Sequence, residues 1–358
     1  MGIVRLFLAC VVAADHWRFL VLAPLSIALE DRVKLGFNSG YAVMFFYIVS
    51  GFLITYTLTL NYDRNVGGAL RFYRNRLIRI FSLYWPIVLL TLVLIDRSWE
   101  KFLMGSLADK LTGIFLLGMD WRLAFASYPD LHFGATVHGL EQAWTLGAEL
   151  TFYMVAPLLM RSFKIGLALL LISFGVRAAF VWQLGPAVHD IWTYHFAVTT
   201  FGFFMMGHLI CLAGHRWRPL PTPIIGVAFL VLSFAIMMFG GSYANFDTPR
   251  FWGAVVCFVI ALPGLFEFTK NVRWMNLLGD LSYPLYLIHT SVVMLLGPVL
   301  IAVALPLSLL PPADAGYVSI VAYLVVAVLA AALVHKVLEI PLARLMRRAT
   351  NRLVAIPA

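Results

Sequence analysis

The chain has 358 residues, of which 62% are hydrophobic and only 12% charged, against roughly 25% charged in an average soluble domain. A soluble fold of this size cannot hide so much apolar surface, and the apolar residues fall in blocks of about 20, the length at which a helix crosses a hydrocarbon core. The formal net charge of +9 does not point to nucleic acid, because the basic residues sit in short loops between apolar runs and not on a polar module.

Ten transmembrane spans are predicted, at 3–25, 40–60, 77–95, 144–160, 164–184, 195–214, 222–240, 250–268, 281–304 and 317–338. The first begins like a signal peptide, with Arg5 followed by Leu6–Ala14. Asp15, His16, Trp17 and Arg18 then stand where a small-residue cleavage site is needed, so it is read as a retained helix. Breakers separate later spans: Asn61 to Gly68, Leu184-Gly185-Pro186, Pro219 to Pro223, Gly240-Gly241 and Pro311-Pro312. The stretch 102–118 is apolar but short and interrupted by glycine. It reads as a re-entrant or interfacial helix, or as an eleventh span that inverts everything downstream.

Loop charges arbitrate. With ten spans and the N-terminus inside, 17 of the 26 Lys and Arg fall on inside segments, among them Arg64 to Arg79 and Lys336 to Arg352. Both termini are therefore expected in the cytoplasm. The predicted fold class is an all-α polytopic membrane protein, with a membrane domain over 1–340 and a basic cytoplasmic tail over 341–358. Cys10, Cys211 and Cys257 lie within apolar runs at no metal-ligand or redox spacing, so no metal site is expected.

An ionisable side chain inside a bilayer is costly and is a functional candidate by default. Arg5 and His16 are eleven residues apart, close to three helical turns, and so share a face with about 16 Å between them. An imidazole near mid-membrane can accept a proton from an alcohol; one bonded to a helix carbonyl, with Arg5 as an anchor, predicts the same stripe. Asp15 points about 100° away and makes no dyad with His16. The run Arg71 to Arg79 enters the third span from the cytoplasm, with Arg76 and Arg79 as i, i+3 neighbours. Its guanidinium forks suit phosphate oxygens, whether of a phosphorylated cofactor or of lipid headgroups.

Glu149 lies about a turn and a half into the fourth span and needs a partner, such as an arginine or His16. Ser282, Tyr286 and His289 fall on one face of the ninth span, with Pro284 suited to the first turn of a helix capped by Ser282. This stripe can line a substrate cavity or form an interhelical hydrogen-bond network.

Taken together these segments resemble the acyltransferase-3 family of membrane acyltransferases. Arg5 to His16 resembles the family's first-helix Arg-x10-His, and Phe45-Phe-Tyr-Ile-Val-Ser50-Gly51-Phe-Leu-Ile resembles its second-helix block. Arg76-Leu-Ile-Arg79 followed by Tyr84-Trp85 is similar to its RxxR segment. Trp144 to Tyr153, Ser282 to His289 and Glu339-Ile-Pro341 complete the ordered matches. Two positions depart: Gly2 stands where the family often carries an acid, and Ser82 replaces a proline that recurs at Pro86.

The resemblance implies transfer of an acyl group, commonly acetyl, from cytosolic acyl-CoA to a hydroxyl of a carbohydrate or lipid-linked saccharide, in a bacterial cytoplasmic (inner) membrane. On this reading His16, Arg5 and Glu149 are catalytic, with His16 as base or acyl relay. Arg74, Arg76 and Arg79 bind acyl-CoA, while Ser50, Trp144, Ser282, Tyr286 and His289 line the substrate cavity. Acyl-CoA, the saccharide acceptor and membrane lipids are the expected partners, and nucleic acid is not among them. The alternative from the buried charges alone is a transporter or flippase for a lipid-linked saccharide, whose inverted repeat the sequence does not display.

Overall fold

The computed structural model describes residues 1–22, 38–125, 137–159, 162–216, 222–238, 247–304 and 312–354, and among these there is no strand. Helix α1 (Gly2–Trp17) runs into a π-helical turn, Arg18–Leu22. Helices α2 (Ser39–Asn61) and α3 (Val66–Leu94) follow, each capped by an asparagine side chain that accepts from a first-turn amide. Three short helices come next: α4 (Ser98–Met104), α5 (Leu107–Phe115) and α6 (Met119–Phe125). A 3-10 turn, Glu141–Ala143, leads into α7 (Trp144–Leu159). Then come α8 (Phe163–Asp190), α9 (Ala197–Arg216), α10 (Pro223–Met238) and α11 (Pro249–Thr269). The chain closes with α12 (Arg273–Asp280), α13 (Ser282–Ala304), α14 (Pro312–Val334) and α15 (Ile340–Val354).

Seven helical stretches of the described residues are long and apolar enough to cross a bilayer, and the chain is an all-α integral membrane protein. The predicted spans at 3–25, 144–160 and 222–240 coincide with α1, α7 and α10, of 16 residues each. That length reaches about 24 Å, less than the roughly 30 Å hydrocarbon core. Length and composition mark seven of the described helical stretches as able to cross on their own; α1 gains a further turn from Arg18–Leu22, and the residues after α7 and α10 lie outside the described ones. The break expected at Leu184-Gly185-Pro186 does not occur, since α8 runs on to Asp190; proline and glycine are tolerated in membrane helices when neighbours satisfy the freed backbone. Gly240-Gly241, Pro311 and part of the Pro219 to Pro223 breaker lie outside the described residues.

The stretch 102–118 forms no span. Ser106 caps α5 through a reciprocal bond with Asp109, which restarts the helix after Gly105. The resulting α5 has nine residues, about 13 Å, too short to cross. It lies beside the middle of α3, where Tyr84 Oη donates to Gly113 O and Trp85 Nε1 donates to Ile114 O at 3.0 Å. Only Asp109, Gly113 and Leu116 of this stretch are buried against the bundle; Leu103, Met104, Leu107, Leu111, Phe115 and Leu117 are exposed.

Helix α1 threads the centre and touches α2, α12, α13 and α14. Close backbone approach fixes the pairing of α2 with α9. A Cβ at Gly51 would fall on the Phe204 carbonyl, and one at Gly207 on the Ile48 carbonyl, so α2 and α9 meet glycine to backbone. Contacts also gather the loops by end. The Met1 amine donates to Thr269 Oγ1, Arg5 to Gly279 O, and Arg74 Nη1 to Asn351 Oδ1 at 2.8 Å. At the opposite end, Trp17 Nε1 donates to Ser319 Oγ at 3.2 Å and Ser98 Oγ to His138 O at 2.9 Å. Residues 341–354, expected as part of a tail, belong to α15, which packs on α3.

Candidate active site

Five helices converge on a cavity of about 270 Å³. Helix α1 supplies Arg5, α2 supplies Tyr47 and Ser50, and α3 supplies Arg76 and Arg79. Thr145, Glu149 and Tyr153 come from α7, and Ser282 and Tyr286 from α13. On α2, α3, α7 and α13 these residues stand at i, i+3 or i, i+4 and so share one face of their helix.

Arg5 is fixed by Ser282 Oγ at 2.8 Å and Gly279 O at 3.1 Å. Ser282 does not cap α13 as the sequence led us to expect. Its hydroxyl donates to Gly279 O at 2.7 Å and accepts from Arg5, because the turn before it leaves a carbonyl in need of a donor. Glu149 accepts from Ser50 Oγ at 3.2 Å and from Tyr153 Oη, one turn along its own helix. Hydroxyls hold this carboxylate, and neither the expected arginine nor His16 forms an ion pair with it among the described contacts. Thr145 Oγ1 donates to Tyr286 Oη at 2.8 Å. Tyr47 Oη is buried with no hydrogen-bond partner among the described residues.

His16 and His289 lie beyond Tyr286 and do not line this cavity. Their rings are 4.9 Å apart, and the His289 ring is 5.8 Å from that of Tyr286. His16 Nδ1 bonds Val12 O at 2.9 Å, and His289 Nδ1 bonds Tyr286 O at 2.7 Å. A carbonyl only accepts, so each neutral imidazole carries its proton on Nδ1 and leaves a lone pair on Nε2. His289 is fully buried and its Nε2 has no partner among the described residues. Asp15 turns away, as its helical angle requires: it pairs with Arg18 at 2.9 Å and accepts from Ser39 N.

A second cavity, of about 420 Å³, adjoins the first and shares Arg76 and Arg79 with it. Arg74, Asn75, Glu339, Arg347 and Asn351 also line it. The Arg76 guanidinium lies 5.3 Å over the Phe72 ring and 5.5 Å over Tyr153, which orients the fork. Buried Nε atoms of Arg74 and Arg76 have no acceptor among the described residues. Glu339 is held by His335 at 2.7 Å.

Of the residues singled out from sequence, Arg5, Ser50, Arg76, Arg79, Glu149, Ser282 and Tyr286 thus share one cavity. Arg74 stands in the second cavity, and His16 and His289 form a separate pair. Trp144 belongs to none of these; it packs against Tyr194 and His195, with ring centroids at 4.9 and 4.5 Å. Tyr47 and Tyr153 were not singled out. Their spacing of three from Ser50 and four from Glu149 was the available signal.

The protein is thus a polytopic helical bundle with a polar cavity lined by Arg5, Ser50 and Glu149, an imidazole pair behind it and arginines shared with a second cavity. The chain belongs to the acyltransferase-3 family, whose acyltransferase domain matches residues 1–335, and it is an acyltransferase. It is 29% identical over 309 residues to nodulation protein 10 of Rhizobium leguminosarum bv. viciae, covering 81% of each chain. No solved structure matches it. Family membership sets aside the transporter reading that the buried charges alone allowed.

Proposed function

We propose that this enzyme transfers an acyl group, acetyl in the simplest case, from cytosolic acyl-CoA to a hydroxyl of a carbohydrate or lipid-linked saccharide in a bacterial cytoplasmic membrane. One observation carries the reading: two adjoining cavities share Arg76 and Arg79, one opening among arginines and the other ending at Tyr286 beside the histidine pair. Guanidinium forks at the mouth suit the phosphates of CoA. The pantetheine arm then extends past Arg5 and Ser50 toward His16.

In the transfer, His16 Nε2 takes the proton of the acceptor hydroxyl as its oxygen attacks the thioester carbonyl carbon. The carbon–sulfur bond of the tetrahedral adduct breaks, and the departing thiolate takes the proton back from the imidazolium. Ester and free CoA thiol result. Arg5 offers positive charge near the thioester, and Glu149, held by Ser50 and Tyr153, balances the cluster of guanidiniums. His289 orients the neighbouring imidazole through ring contact. The arginine end faces the cytoplasm, together with both termini, in accord with the loop charges.

Purified protein in lipid nanodiscs, given radiolabelled acetyl-CoA and lipid-linked glycans, should move label onto the glycan. Failure to cleave the thioester of any acyl-CoA while the protein remains folded would refute the donor assignment. For orientation, a cysteine at Asn65, in the loop joining α2 to α3, should react with an impermeant reagent only from the cytoplasmic side.

A further inference from the structure

We propose that α15, which lies beyond the matched family domain, is the second wall of a nucleotide-phosphate site, and that Arg347 is one of its phosphate ligands. The inference rests on the acyl-CoA reading above and extends it to residues beyond the matched family domain, which ends at 335. The cavity of about 420 Å³ lies between α3 and the segment running from Glu339 into α15. Arg74, Arg76 and Arg79 face it from one side and Arg347 from the other. Its single carboxylate, Glu339, is already bonded to His335. Four guanidiniums against one occupied carboxylate is a strong excess of positive charge, and an anion held between them relieves their mutual repulsion.

Two further observations favour a phosphate ligand over a merely solvated basic face. The Nε atoms of Arg74 and Arg76 are buried without an acceptor among the described residues, although a buried guanidinium N–H is costly to leave unmade. Helix α15 is also positioned, not trailing: Arg74 Nη1 donates to Asn351 Oδ1 at 2.8 Å, which ties it to α3. The site therefore takes an anion bearing several phosphate oxygens. The 3′-phosphate and diphosphate of CoA supply them, and the shared Arg76 and Arg79 lead its arm from this cavity into the next. An anionic lipid headgroup offers the same chemistry from the bilayer.

The test uses the full chain in nanodiscs of zwitterionic phosphatidylcholine, with CoA, 3′-dephospho-CoA and dioctanoyl phosphatidylglycerol as probes. Arg347→Ala should weaken CoA binding by roughly tenfold, the loss expected for one charge-assisted contact. The loss for 3′-dephospho-CoA should be smaller if Arg347 meets the 3′-phosphate. Arg348→Ala, on the same helix but outside the cavity lining, controls for helix integrity and should change CoA affinity less than twofold. If CoA binding depends on Arg76 and Arg79 but is indifferent to Arg347→Ala, the role of α15 is refuted and the donor reading stands. If Arg347→Ala abolishes phosphatidylglycerol binding and leaves CoA binding intact, the cavity is a lipid site and the proposal fails. If wild-type protein binds no CoA, both readings fall together.

Discussion

Arg76 and Arg177 are both arginines set in apolar helices, and the structure treats them in opposite ways. Arg177, on α8, is 1% exposed; it pairs with Asp247 at 2.7 Å and donates to the Thr193 carbonyl. Arg76, on α3, rests on two aromatic rings between two cavities and, among the described residues, has neither a hydrogen-bond acceptor nor an ion-pair partner. The first guanidinium ties the π-helical turn Ile191–His195 and the segment before α11 to α8. The second is held ready for something outside the chain. A buried charge with its partner built in is architecture, whereas one with its partner missing marks a site.

That contrast can be broken by experiment. Arg177→Met should cost about 3–5 kcal/mol, because it leaves Asp247 without its guanidinium. Thermal unfolding in detergent would read the loss, and Arg177→Met/Asp247→Asn should recover part of it. The contrast collapses if Arg177→Met unfolds normally yet loses CoA affinity.

His16→Gln should do the reverse. Glutamine keeps a similar volume and can still donate to Val12 O, but it cannot take a proton near neutral pH. Acyl transfer should fall by roughly 10²-fold or more, with an unchanged melting curve and unchanged CoA binding. Normal transfer by this variant would shift the search to His289, whose Nε2 faces no protein partner among the described residues.

Arg76→Ala/Arg79→Ala should lower CoA affinity by about tenfold or more, since charged hydrogen bonds contribute roughly 1.5–3 kcal/mol each. Stability should change little, because neither side chain holds another helix through a hydrogen bond or ion pair among the described contacts. Unchanged affinity, measured by titration in nanodiscs, would reduce the pair to topology determinants. The smallest effect is expected for Arg76→Lys. It keeps the charge but loses the planar fork and its stacking on Phe72 and Tyr153, so CoA binding should weaken by several-fold and show greater sensitivity to salt.

Much of the architecture was legible because the bilayer imposes a simple rule of length and polarity on every helix. Among the described residues each of the ten predicted spans falls on a helix, and the shared face of Ser282 and Tyr286 follows from residue spacing alone. Errors arose where a local breaker was weighed without its surroundings. Leu184-Gly185-Pro186 reads as a stop, yet α8 continues through it. The partners of Glu149 were misjudged for a related reason: charge complementarity favoured an arginine, but hydroxyls from Ser50 and Tyr153 were nearer.

By itself, the sequence determined the class of protein, the run of helices, the family and the polar stripe on each helix, since all of these are encoded in periodicity and local residue type. Only the tertiary structure decided which stripes face one another. It separated the His16–His289 pair from the cavity lined by Arg5 and Glu149, turned Trp144 out of that cavity onto Tyr194 and His195, and brought Arg347 to Arg74 across 273 residues of chain. The physical reason is that helix spacing fixes which residues share a face but says nothing about the neighbour opposite. That choice is made by packing, above all where glycines such as Gly51 and Gly207 let two backbones meet.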